Sequence, residues 1–143
     1  YKELGGKLQL AVWDFNNGFD NYQWFRTETD ALYTVENSWF ERLWQDKTFR
    51  KCVCERYRQL RKTTLSDEYI YDKIASYQEE LGDAVDRNFK VWGYSFNEAL
   101  LAGTSKEGTS RDIGSYEEAM EQLTDTIRER LEYLDKELGE NRE

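Results

Sequence analysis

The chain has 143 residues, 38% of them hydrophobic, 34% charged and 15% aromatic, with a formal charge of −9 and neither histidine nor proline. No apolar run approaches the roughly 18 residues that span a bilayer, and the acidic balance argues against general nucleic-acid binding, which needs a basic surface. Without histidine, and with only two cysteines, His-based triads, imidazole acid/base catalysis and a structural zinc site are excluded.

The length suits one domain. Average usage of about 5% would supply several prolines, so their absence, with Tyr1 in first place, leads to the expectation of long helices and of a piece excised from a longer polypeptide. Charge is distributed unevenly. Arg42 to Lys62 carries eight Lys/Arg against two acids, whereas Ser115 to Glu143 carries ten acids against four bases.

In chain order, Lys7 to Trp13 follows Gly5-Gly6, alternates and then runs apolar, and stops at Asp14; this predicts a strand, or half a hairpin, leaving a glycine turn. Asn16 to Asn37 shows no period and mixes Asn, Gly, Asp and Thr with Phe19, Tyr22, Trp24, Phe25, Leu32 and Tyr33, the pattern of an irregular loop pinned by rings. Ser38-Trp39-Phe40-Glu41 is a capping-box pattern that starts a short helix. A second helix, from about Lys47 to Lys62, places Phe49, Cys52, Val53, Tyr57 and Leu60 in one stripe.

Ser66 is expected to cap a third helix whose stripe of Ile70, Ile74, Tyr77, Leu81, Ala84, Val85 and Trp92 holds phase across Gly82. The small polar residues from Ala102 to Ser110 read as a loop. Ser115-Tyr116-Glu117-Glu118 is a second capping box. It opens a last helix with Tyr116, Met120, Leu123, Ile127, Leu131, Leu134 and Leu138 on one face, ended by Gly139. The expectation is a mainly α domain with a short N-terminal strand or hairpin, organised as 1–17 (strand and acidic turn), 18–37 (aromatic loop) and 38–139 (helical part).

Asp14-Phe15-Asn16-Asn17-Gly18-Phe19-Asp20 gathers oxygen-bearing side chains in one turn. Such donors suit a hard divalent cation, or equally an Asx-rich turn bonded to its own backbone. An EF-hand is ruled out: counted from Asp14, its glycine falls on Phe19 and its bidentate glutamate on Phe25. Arg56, Asn88 and Arg130 interrupt apolar stripes and are expected to be structural polar groups, buried and bonded to carboxylates or backbone carbonyls, with a cleft-lining role as the other reading. Cys52 is expected at the core edge and Cys54 on the outer, basic face, too far round the helix to bridge. The basic face from Arg50 to Lys62 either receives acidic or phosphorylated segments or complements the acidic last helix.

Gly5-Gly6-Lys7-Leu8 with Ala11-Val12-Trp13-Asp14-Phe15-Asn16 resembles the "GGKL" and "WDFD" segments of the spore coat protein H (CotH) kinase family. Ser38 to Leu43 with Asp46 to Phe49 is similar to its "PWFKRLLxDPxF" stretch. Arg56 to Arg61, Arg87 to Trp92, and Ser115 to Glu118 continuing through Arg130 to Asp135 resemble its later motifs, in order. The resemblance implies the helical C-terminal lobe of a protein-kinase-like α+β fold, in a parent that moves phosphate from ATP to serines of coat or surface proteins.

The resemblance further implies Asp14 as the aspartate gripping the nucleotide-bridging ion, Mg²⁺ or another divalent cation, with Asn16 at the family's second acidic position. No catalytic residue is assigned within this chain. The phosphate-covering loop and nucleotide-pairing lysine are expected in an N-terminal lobe of the same polypeptide, so the chain alone is expected to be inactive and to bind no cofactor tightly. Implied partners are protein substrates or coat proteins, with no nucleic acid and no membrane span, in a spore coat or at an exported, cell-surface location. The alternative is a non-catalytic helical interaction module of a coat or surface assembly.

Overall fold

The computed structural model describes residues 2–7, 9, 11, 18–19, 28–36, 38–92 and 115–139. The architecture is mainly helical, as expected: a 3-10 turn Tyr33–Glu36, then α1 (Ser38–Trp44), α2 (Lys47–Arg61), α3 (Asp67–Leu81), α4 (Ala84–Trp92) and α5 (Tyr116–Leu134), which runs on into a π-helical turn Asp135–Gly139. No strand occurs among the described residues. Lys7, Gln9 and Ala11 have no regular secondary structure, and the other residues of the expected strand, Leu8, Leu10, Val12 and Trp13, lie outside the described residues. The glycine turn before it is present: Gly6 N donates to Glu3 O at 2.9 Å, with Gly5 at φ 76°, a conformation that suits glycine because no Cβ obstructs it.

The helix starts obey local hydrogen-bond chemistry. Asp46 accepts from Thr48 N and Phe49 N (2.7 and 2.9 Å) and opens α2, Ser66 accepts from Tyr69 N (3.2 Å) and opens α3, and Ser115 accepts from Glu118 N (3.1 Å) and opens α5. Each cap supplies an acceptor for backbone donors that the first helical turn leaves unpaired. The two N–H donors hold the Asp46 carboxyl below its ordinary pKa, Phe49 first and Thr48 second.

Two expectations are corrected. The stripe expected to run through one long helix is split at Gly82, whose φ of 41° and ψ of −129° end α3. The last residues of the expected loop, Tyr33 to Glu36, wind into a 3-10 turn that packs on α1.

The core lies where α2 meets the end of α5. Tyr57, Ile127, Leu131 and Leu138 are its buried apolar residues, and the π-turn packs against α2. Leu138, seven residues after Leu131, is buried on the same face and continues the stripe as the sequence predicts. Burial fades away from this centre: α3 has no buried residue, and Tyr77 and Leu81 are about half exposed. The Lys73 ammonium lies 5.9 Å from the ring centroids of both Tyr69 and Tyr77, one helical turn to either side, so cation and rings partly cover one another.

Candidate functional site

Asp14 and Asn16, the expected metal ligands, lie outside the described residues. Gly18 and Phe19, a few positions further on, are exposed, and Phe19 has φ 55°, a left-handed conformation that costs a non-glycine residue about 1–2 kcal/mol.

Further along, the segment 28–32 is tied to α5 by Arg130. Its Nη1 donates to Thr29 O at 2.9 Å and also to Ala31 O, while Thr29 Oγ1 donates to Glu129 Oε2 at 3.2 Å. The guanidinium also lies 5.4 Å from the Tyr133 ring centroid. A cation with several N–H donors can satisfy two loop carbonyls at once, and Arg130 thereby fixes the segment that leads into the 3-10 turn.

Arg56 and Asn88 are placed differently from the expectation. Both are exposed, and Arg56 donates to Gln59 on its own helix at 3.5 Å. For Asn88 the reason is the break at Gly82, which rotates α4 so that Phe89 packs toward α5, 6.4 Å from the Tyr116 ring centroid. For Arg56 the reason is the phase of α2, which turns Arg61 and Arg58 inward instead. The same rotation reverses the cysteines: Cys52 is exposed and Cys54 half-buried.

Among the described residues, Arg61 is the centre of the most connected polar group. Its Nε and Nη2 donate to Asp135 Oδ1 and Oδ2, both at 2.9 Å, and its Nη1 donates to Leu65 O (2.5 Å) and Asp67 Oδ1 (2.7 Å). Tyr57 Oη donates to Asp135 Oδ1 at 2.7 Å. Burial works against the Arg61 charge, but the bonds to Asp135 and Asp67 outweigh it and raise its pKa above the ordinary value. Burial, and then the bond to Asp135, push the Tyr57 hydroxyl well above the usual tyrosine range. Arg58 Nη1 adds a long contact to Leu138 O at 3.4 Å.

Around this group lies an open depression of about 400 Å³ lined by Arg58, Arg61, Lys62, Glu55, Tyr57 and Asp135. Two basic residues of α2 thus reach the acidic end of α5, and this accounts for part of the charge asymmetry in the sequence. The arrangement is a structural anchor. It holds Asp67, Asp135 and Tyr57 in mutually satisfied contacts around Arg61, and burial with the bond to Asp135 keeps the Tyr57 hydroxyl protonated.

The described residues contain no cluster of three or more metal-ligating side chains and no helix long and apolar enough to cross a membrane. Over residues 1–134 the chain matches the family described as CotH kinase protein. The chain belongs to the CotH kinase family. No curated protein matches it, and no solved structure does.

In this CotH family member, four of the motif-bearing stretches fall on helices, 38–43 on α1, 56–61 on α2, 87–92 on α4 and 130–134 on α5, whereas Gly5-Gly6 forms a turn. Arg61 and Asp135 each end a stretch that resembles a CotH motif. Their pairing is not legible in the sequence. The available signals are the excess of bases in α2 and of acids in α5, which indicate attraction but not which two residues meet. The Asp46 cap is readable from an aspartate directly before Lys47.

Proposed function

We propose that this CotH family chain is the helical, C-terminal part of a kinase-like lobe, in a polypeptide that transfers phosphate from ATP to serine residues of coat or surface proteins. The family match over residues 1–134 carries this reading. Asp14 and Asn16 supply carboxylate and amide oxygens, the donor types that Mg²⁺ accepts, and Asp14 is the residue assigned to hold it. The ion, when bound, neutralises charge on the nucleotide phosphates. The chain's contribution on this reading is the Asp14 carboxylate and the Asn16 amide oxygen. Location in a spore coat or at an exported surface belongs to the same reading.

Phosphoryl transfer depends on several groups positioned together. The 143 residues contain no glycine-rich G-x-G-x-x-G phosphate loop, so the chain alone is expected to show no turnover. Phosphate release from ATP, or serine phosphorylation, is measured for the chain and for Asp14→Ala. Equal, background rates are expected; activity of the unmodified chain above Asp14→Ala would show that it carries a working site by itself. Titration with Mg²⁺ or Mn²⁺, with and without ATP, tests the ligand assignment: binding is expected to be weak and to be lost in Asp14→Ala. Binding unchanged by that substitution favours the second reading, a non-catalytic interaction module, to which the half-exposed Tyr77 and Leu81 on α3 also point.

A further inference from the structure

The residues from 67 to 92 are patterned for one helix and fold as two. Ile70, Ile74, Tyr77, Leu81, Ala84, Val85 and Trp92 share one stripe at about 100° per residue, yet the chain breaks at Gly82 in a conformation that suits glycine. The break is short. Gly82 N still donates to Gln78 O at 3.0 Å and Arg87 N to Asp83 O at 3.1 Å, with Val85 N turned back to Gly82 O at 3.2 Å, so both helices are intact up to a joint of two residues.

The two arrangements cover different side chains. In a continuous helix Asn88 stands at the centre of the stripe and Phe89 lies about 100° to one side. In the structure Phe89 is half-buried toward Tyr116 and Asn88 is exposed, while Tyr77 and Leu81 remain 58% and 51% exposed. Straightening would restore helical hydrogen bonds at the joint, against the low helix propensity of an interior glycine and the loss of the Phe89–Tyr116 contact. These terms oppose each other, so both states stay within reach.

We propose that residues 67–92 form a two-state element: kinked at Gly82 with Phe89 docked on α5, and a continuous helix with Phe89 released. The switch lies in the Gly82 joint and the Phe89–Tyr116 contact, independently of any phosphotransfer by the parent protein. A Cβ at position 82 would meet only Glu79 O, at 3.5 Å, so an alanine fits sterically but is strained at the kinked φ and selects the straight form.

NMR relaxation dispersion on the labelled chain, with Gly82→Ala as reference, tests this. The wild type is expected to show μs–ms exchange at residues 80–89 and at Tyr116, with a minor population below about 10%. Its minor-state shifts should match those of Gly82→Ala, which should show unbroken helical shifts through 81–85 and no Phe89–Tyr116 contact. Phe89→Ala, which weakens only the kinked form, is expected to raise the minor population severalfold and provides the test should Gly82→Ala fail to fold. Flat dispersion profiles in the wild type overturn the proposal. So does a folded Gly82→Ala that keeps the break, or a Phe89→Ala that leaves the populations unchanged.

Discussion

Arg61 grips Asp135 through two parallel hydrogen bonds, Nε to Oδ1 and Nη2 to Oδ2, both 2.9 Å, joining the end of α2 to the turn that closes α5. Bidentate pairing of this kind fixes orientation as well as distance. Removing the carboxylate in Asp135→Ala deprives Arg61 of two bonds and Tyr57 of one. The expected loss of unfolding free energy is about 1–3 kcal/mol, toward the lower end because Asp135 retains solvent access. Urea denaturation checks it, and Arg61→Lys should lose part of the same stability because an ammonium cannot make the fork.

Alkaline pH should weaken the fold through Tyr57. Its folded pKa lies above the unfolded value of about 10, so its contribution is complete below pH 10. It is lost as pH rises beyond that, where the unfolded chain releases the proton and the folded one keeps it. Melting temperature should therefore fall more steeply above about pH 10 in the wild type than in Tyr57→Phe. Equal slopes for the two would place the alkaline sensitivity elsewhere.

On the acid side the sign is opposite. Asp46 has a folded pKa below its unfolded one, so its capping contribution is present above about pH 4 and disappears as pH falls through the lower folded value. Asp46→Asn keeps a capping oxygen without the charge. Its melting temperature should lie slightly below wild type at pH 7, with the gap closing by about pH 2; circular dichroism melts over that range measure it.

The cysteines should be distinguishable by rate. Cys52 is exposed and Cys54 half-buried, so iodoacetamide in the native state should label Cys52 first, several-fold faster if access alone decides. Peptide mass mapping at partial modification reads the order. Preferential labelling of Cys54 would mean that its basic neighbours, rather than exposure, govern reactivity.

Arg130 offers a test of the loop anchor. Replacing it with alanine removes the donor shared by the Thr29 and Ala31 carbonyls and should raise the rate of limited proteolysis within 28–32 several-fold, since a backbone without its partners opens more often. Helical content should change little. Arg130→Lys should give an intermediate rate.

Helices and their starts are legible where chemistry is local. Ser66 and Ser115 cap as their positions indicate, and the stripe from Tyr116 to Leu138 faces the core because its period matches the helix. The phase of α2 is only partly legible. Phe49, Val53, Tyr57 and Leu60 turn inward as expected, but Arg61 outranks Cys52 because two carboxylates and a carbonyl await it there.

Composition excludes histidine chemistry, zinc fingers and a long apolar membrane-spanning helix, and motif order points to the CotH family, all properties carried by residue identity and spacing alone. The absence of proline points to helices, which the fold contains. Tertiary structure decided what depends on residues far apart in the chain: that Arg61 meets Asp135 across 74 positions, that Arg130 holds Thr29 and Ala31, and that the stripe across Gly82 breaks so that Phe89 reaches Tyr116. Local propensity sets the period of a helix, but only its neighbours determine which residues of that period are covered and which polar groups find partners.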